Sequence, residues 1–503
     1  MIVLLALLDG FLRAHRGPSA TYHQAMDSAW LRLSALPLCT LSMVLMPACG
    51  GGGAQGEGSS DTMTTSGITS LGETGTSMES STTNSSTTEA STTEASTTEA
   101  STTEASTTDA STTDDTDTDT DTAGTKFDLG IVPDAGMGEC GTGGGNNEDT
   151  LSYIWIANSS QNTISKINTK TMIEEGRYYT RPDQLGSPSR TSVNLGGDVA
   201  VANRNGGITK VIANVENCDE MANGQPGLQT SSGANDILPW GQDDCVAWHT
   251  PLNYSANRPA AWTFGEVNPA TCEVTNSKFW TGASPGAGLA HAIRLNGDTG
   301  AIEDDIALNG FTVNSFGPYG GAVDPDENFW MISHSTNSSL IRVNADDLSY
   351  DIWPVQPGTM FSYGFTIDEY GRPWIGGAGG SNMTLVFDPE TEEFTMLAKG
   401  GLGMGQASDG LMWQAMFSSQ NGVRAWDIDT LEIVTEIDIP VSSSRGVSVD
   451  IDGYVWFVEV GTRAFKINPE DESYETFNGL VGAYTYSDMT GNALSIVAGG
   501  IAG

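Results

Sequence analysis

An all-β propeller carried on an unstructured stalk is the fold this sequence predicts. The repeat count gives a seven-bladed ring and leaves an eight-bladed one open. Three observations lead there. From about Leu151 onward the chain repeats a pattern ~40 residues long, the length of one four-stranded blade. Within each copy apolar residues alternate between turn residues, and helical periodicity is essentially absent. Before the repeats, residues 50–125 are dominated by Ser, Thr and acid and carry almost no large apolar side chains. Such a segment cannot bury enough surface to offset the entropy of ordering, so a disordered spacer is expected. The chain thus divides into a leader (1–49), a linker with a short lead-in (50–149) and the propeller (150–503).

The clearest copies open at Tyr319, Tyr363 and Arg445. Each runs to an aspartate (Asp324, Asp368, Asp450), turns, and reaches a tryptophan six residues later (Trp330, Trp374, Trp456). A strand ending in Asn344, Asp388 or Asn468 follows, and a last short strand completes the unit. A single sheet of four strands cannot bury both faces. Sheets packed around an axis cover one another, and the recurring Trp is expected to fill the space between them. Fainter copies open at Arg190, Arg258 and Gln406, with Trp280 in the second strand of the Arg258 copy. The first copy, marked by Trp155, lacks an opening strand; the segment Ala483 to Met489 is expected to supply it, closing the ring from both ends. The apolar run Ala493–Ala498 reads as a further strand and is what keeps an eighth blade open.

Six cysteines are present, without a CxxC pair, so a zinc or thioredoxin-like reading has little support. Cys39 and Cys49 lie in or at the end of the leader. Cys140, Cys218, Cys245 and Cys272 belong to the exported part and suggest two disulfides, with three possible pairings. A bridge Cys218–Cys245 across an insertion between third and fourth strands is preferred, leaving Cys140 with Cys272. That insertion also holds Asp219, Glu220, Asn223 and Gly224, a faint calcium-loop composition without regular oxygen spacing. The Asp-Thr run from Asp114 to Thr122 is a second, weak calcium candidate.

From Met26 the leader reads as a short n-region ending at Arg32, an apolar stretch from Leu33 to Ala48, and Cys49. The stretch is shorter than the ~20 residues a spanning helix needs. This layout resembles a bacterial lipoprotein signal, with Met26 the true start and Cys49 acylated as the mature N-terminus. Gly50 after the cysteine is what such lipoproteins of the outer membrane carry. The resemblance implies an exported, cell-surface lipoprotein of a Gram-negative bacterium, tied to the membrane by lipid. The formal net charge is −42, from 63 acids against 21 bases. A surface this negative repels nucleic acid and anionic lipid headgroups. A monomeric domain is expected.

The repeats, above all Asp452-Gly-Tyr-Val-Trp456-Phe-Val-Glu459, resemble those of the virginiamycin B lyase family of seven-bladed propellers and those of exported propeller lipoproteins. In that family the resemblance implies a His base and a magnesium ion held with Glu, on the face where second and third strands meet. The matching loops here carry Asn158, Asn203, His334, Gly377, Met416 and Glu459, and only His334 and Glu459 have the right chemistry. They stand three blades apart, and elimination needs base and metal within reach of one substrate. His249 and His291 read as hydrogen-bonded sheet residues. The residues that begin the innermost strands form a second set: Arg190, Arg258, Tyr319, Tyr363, Gln406, Arg445 and Tyr484. Cations and phenols converging on one funnel mouth suit an acidic or sugar-like ligand. The expected function is therefore a non-catalytic module binding a glycan, a small acid or a partner protein. A magnesium-assisted lyase or hydrolase using His334 or Glu459, and a purely structural envelope protein, are the alternatives.

Overall fold

A computed structural model of the chain describes residues 152–499, apart from 269–270, 272, 379–381 and 418–419. The leader, Cys49, the stalk, Cys140 and Cys272 lie outside the described residues. The described part is an all-β propeller. Five four-stranded antiparallel sheets open with Pro188–Val193, Ala256–Trp262, Pro318–Val323, Phe361–Ile367 and Gly401–Gln406. A seven-stranded sheet joins the two ends of the repeat region. It runs from Ser444–Val449 out to Tyr474–Ala483, then through Tyr153–Asn158 and Thr163–Asn168 to Glu174–Tyr179.

The joint between the ends is narrow. Asn158 pairs with Ala483, and beyond it the C-terminal segment runs beside Tyr153–Asn158. Tyr484 N–H donates to Ala157 O at 3.1 Å, and Trp155 N–H to Met489 O at 2.8 Å. The place of the opening strand missing from the first repeat is thus taken from the C-terminus, by a segment that is irregular beyond Ala483. Ring closure leaves no free inner edge to aggregate.

The Asp and Trp of the repeat meet directly. Trp330, Trp374 and Trp456 each donate the indole N–H to the Oδ2 of Asp324, Asp368 and Asp450 at 2.8 Å. The other oxygen of each Asp accepts two backbone N–H groups of its own turn, at 2.9–3.1 Å. One carboxylate therefore ties a turn to the ring buried between sheets. All three indoles are fully buried, as are Trp155, Trp280 and Trp413 at similar places. Neighbouring sheets come close enough to need glycine: a Cβ on Gly376 would lie 2.6 Å from Gly401 O.

One expectation fails. Ala493–Ala498 is not a strand; Asn492–Val497 is an α-helix. The physical reason is its neighbours. No sheet edge is open there, whereas a helical turn points Leu494 and Val497 into apolar clusters formed by the sheets that open at Ala256 and Phe361. The left-handed Gly491 (φ 87°) starts it. The helix covers one end of the central channel, above a cavity of about 40 Å³ lined by Ser192, Trp262, Val323, Ile367 and Asp488.

Candidate binding site at the funnel mouth

The other end of the channel is where the inner strands begin and the second strands end. Antiparallel pairing puts both on one face. It carries Arg190, Arg258, Tyr319, Tyr363, Arg445 and Tyr484 from the predicted set, joined by Arg204 just after Val199–Asn203, and by Tyr486. Their contacts form one cluster. The Arg190 guanidinium lies 3.6 Å from the centroid of the Tyr486 ring and 5.1 Å from that of Tyr319. Arg258 flanks Tyr319 from another side, also at 5.1 Å. Arg204 and Arg445 flank Tyr484 at 4.9 and 5.4 Å, and Arg445 also reaches the Tyr363 ring at 5.9 Å.

These four share a property found in no other arginine among the described residues. Arg177, Arg181, Arg294, Arg342, Arg372, Arg424 and Arg463 each pair with an Asp or Glu. Arg190, Arg204, Arg258 and Arg445 pair with none, and they are the four that meet at the funnel. Their hydrogen bonds go to neutral groups. Arg190 donates to Tyr486 O, Ser487 Oγ and Tyr363 O; Arg258 to Phe316 O; Arg204 to Ser187 O; Arg445 to Ser444 O. The Nε atoms of Arg190 and Arg445 are buried without a partner. The members differ in access: Arg190 is fully buried and forms the floor, Arg258 is 8% exposed, and Arg204 and Arg445 are half-buried.

The tyrosines carry the cluster's polarity. Tyr484 OH lies 3.2 Å from Tyr319 OH and is also hydrogen-bonded to Tyr363 OH. Burial raises the Tyr319 and Tyr363 hydroxyls well above the usual phenol range. For Tyr484, burial also pushes upward, but hydrogen bonds from Tyr319 and Tyr363 and the charge of Arg445 outweigh it, bringing its phenol down to about 8. Two reluctant acids donate to one that ionises more readily beside cations.

His334 forms one wall. Its ring stacks on Tyr319 at 3.9 Å and meets Phe361, Phe316 and Tyr363 edge-on at 4.4–5.3 Å. Burial, with Arg258 and Arg190 nearby, pushes it down to about 4 against the opposing hydrogen bond to Ser362. The ring is therefore neutral at pH 7. Nδ1 lies 2.7 Å from Ser362 O and so carries the hydrogen, which makes Nε2 an acceptor. Glu459 ends a second strand on the same face, paired with Ser444, but both its oxygens are held by Arg463 at 2.6 and 2.7 Å. No hydrogen bond, ion pair or ring contact joins it to His334. Among the described residues no three His, Cys, Asp or Glu side chains gather to hold a metal ion. The insertion's Asp219 and Asn223 spend side-chain oxygens on their own turns, accepting from Met221 and Gln225 N–H.

Gln406 is a correction. It ends its strand instead of opening it, bonds Glu369 through its side chain and accepts from Asn492 through its carbonyl, so it sits at the helix-covered end. Leu402 takes the place expected for it, packed in the apolar cluster with Tyr319 and Tyr363. The copy containing it has Ala407 where the copies opening at Tyr319, Tyr363 and Arg445 have Asp, so the marker that aligns those three is missing. His291 lies inside a strand and pairs with Asp305 at 2.6 Å; His249 bonds Thr209 Oγ1 at 2.9 Å. Cys218 and Cys245 form a disulfide across the insertion. Arg204, Tyr486 and Phe316 were not in the predicted set. Arg204 follows Asn203 at a loop already singled out, which is the signal that points to it.

No protein-family description matches the chain, and no curated protein matches it. Among solved structures it is similar to virginiamycin B lyase from Staphylococcus aureus, at 18% identity over 44% of this chain and 69% of that one, with a TM-score of 0.35. It is also similar to a streptogramin B lyase structure (15%, 61% and 87%, TM-score 0.45). A third is a functionally unknown protein from Desulfotomaculum acetoxidans DSM 771 (10%, 67% and 98%, TM-score 0.47). These similarities concern the propeller fold alone.

Proposed function

We propose that the chain is an exported lipoprotein, acylated at Cys49, whose linker holds a seven-bladed propeller away from the membrane, and that the propeller binds a small anionic ligand at its funnel mouth. The carrying observation is the set of unpaired arginines. In a chain with threefold more acids than bases, four guanidiniums meet and no carboxylate meets them. Concentrating like charge in a partly desolvated site is costly, and an incoming anion relieves that cost through charge-assisted, bidentate hydrogen bonds. The seven-blade count treats the strands from Tyr153 to Tyr179, completed by Tyr484–Met489, as one blade and those from Ser444 to Ala483 as another.

The binding reading is tested by calorimetric titration of the full chain in mild detergent with acetate, inorganic phosphate and glucuronate. Saturable binding that weakens with salt and with Arg445→Ala supports it; heats indistinguishable from dilution for all three overturn it. The anchor is tested by Cys49→Ala, which should release the protein from membranes. Unchanged membrane retention overturns that part alone.

A further inference from the structure

Beyond anion binding in general, and resting on that reading, we infer that the funnel takes a carboxylated sugar ring of the uronate type. Three features side by side ask for three different chemistries. The first is cationic. Arg258, Arg204 and Arg445 are the members of the unpaired set that keep some access, and a planar guanidinium matches a carboxylate fork. The second is apolar and flat. Phe316 is 48% exposed in the loop that enters Pro318–Val323, the one phenylalanine among the exposed large apolar side chains of the described residues. It is held in place: its N–H donates to Asn314 Oδ1, its carbonyl accepts from Arg258 Nε at 2.9 Å, and its ring packs edge-on to His334. The adjoining Gly317 (φ 74°) permits the turn, since a Cβ there would lie 2.7 Å from Ala256 Cβ. Arg258 lies 5.8 Å from the Phe316 ring centroid, so charge and flat face are adjacent.

The third feature is a neutral acceptor. His334 has its Nδ1 hydrogen committed to Ser362 O, and Nε2 has no partner and is not sealed from solvent. An acceptor nitrogen is of no use to an anion and repels its lone pairs. It fits a hydroxyl donor. An acetate or phosphate ion would use only the arginines. A neutral sugar would use the flat face and the acceptor and leave the guanidiniums unpaired. A pyranose bearing a carboxylate uses all three: its C–H face lies on Phe316, its carboxylate meets Arg258 with Arg204 or Arg445, and a ring hydroxyl donates to His334 Nε2.

The test titrates the full chain with glucuronate, galacturonate, their trimers, the parent neutral sugars, acetate and inorganic phosphate. At least one uronate should bind tenfold or more tightly than its neutral parent and than acetate. Phe316→Ala should cost the uronate tenfold or more and acetate less than twofold. Phe316 is surface-exposed, so this variant is expected to fold, and an unchanged melting temperature checks that. Trimers binding better than monomers identify a polysaccharide source; equal binding identifies the free sugar. Acetate and uronate binding alike, or Phe316→Ala leaving the uronate unaffected, would overturn the sugar assignment while the anion site stands. Failure of every anion to bind overturns both readings.

Discussion

The guanidinium of Arg190 stacks 3.6 Å from the ring centroid of Tyr486 and donates to the Tyr486 carbonyl at 3.0 Å, across 296 residues of chain. The same guanidinium reaches Ser487 Oγ. Arg190 therefore clamps the C-terminal segment against the second repeat at the place where the ring closes. A buried cation held by a ring face and carbonyls is costly to place but more costly to truncate, because buried acceptors lose a charged donor. Arg190→Ala should lower stability by about 2 kcal/mol or more. Half-buried Arg445, whose hydrogen bond is to the neighbouring Ser444 O, should cost well under 1 kcal/mol on mutation to Ala. Chemical denaturation of both variants checks the ordering; equal losses would place Arg445 in the frame as well.

Tyr484 makes anion binding depend on pH. Its phenol lies near 8, and the groups facing it are Tyr319, Tyr363, Tyr486, Arg204 and Arg445. As a phenolate it is an internal counter-ion that competes with any bound anion. Affinity should be full below about pH 7 and decline as pH rises through 8, with a proton taken up on binding in that range. Titration in buffers of different ionisation enthalpy reads the proton directly. Tyr484→Phe should give an affinity that is flat across pH 7–9.

Asp488 lies under the C-terminal helix with Oδ2 buried and unpartnered, and it lines the small cavity. Burial raises its carboxyl to about 6, against backbone hydrogen bonds from Gly491 and Thr490 that favour the anion. A carboxyl raised on folding stabilises the fold when protonated, and that contribution is lost as pH rises through the folded value. At pH 7 the buried charge costs roughly 3 kcal/mol. Asp488→Asn should therefore raise the melting temperature at pH 7–8 and change it little at pH 4.

His334 and His249 act in the opposite sense over the same range. Burial lowers both to about 4, so the stability of their neutral forms is present above 6.5 and lost as pH falls through 4. In the parent the rise is partly offset by Asp488 and by Asp450, whose carboxyl burial also raises to about 6. In Asp488→Asn the melting temperature should rise more steeply between pH 4 and 6.5 than in the parent.

The Cys218–Cys245 bridge closes an insertion that has little regular structure beyond one 3-10 turn at Val215–Asn217. Closing a loop of this length restricts the unfolded chain, and its loss should cost about 2–4 kcal/mol. Non-reducing peptide mapping should recover the pair. Cys218→Ala with Cys245→Ala should melt earlier and leave anion affinity at the funnel unchanged.

The sequence by itself determined the sheet unit. An aspartate, a turn and a tryptophan six residues on are local in the chain, and the carboxylate–indole bond they form at Trp330, Trp374 and Trp456 is local as well. The insertion with its disulfide was legible for the same reason, and closure of the ring because the first repeat lacks an opening strand that the C-terminal segment can supply. What only the tertiary structure decided is which residues stand together across the axis. Arg204 joined the funnel because an antiparallel turn brings the end of one strand beside the start of another. Gln406 left it because it ends the strand Gly401–Gln406, whose other end carries Leu402 to the funnel. The final apolar run became a helix because ring closure left no sheet edge to extend, and only a channel end to cover. The absence of carboxylates around four arginines is a statement about distances between repeats, and no reading of one repeat contains it.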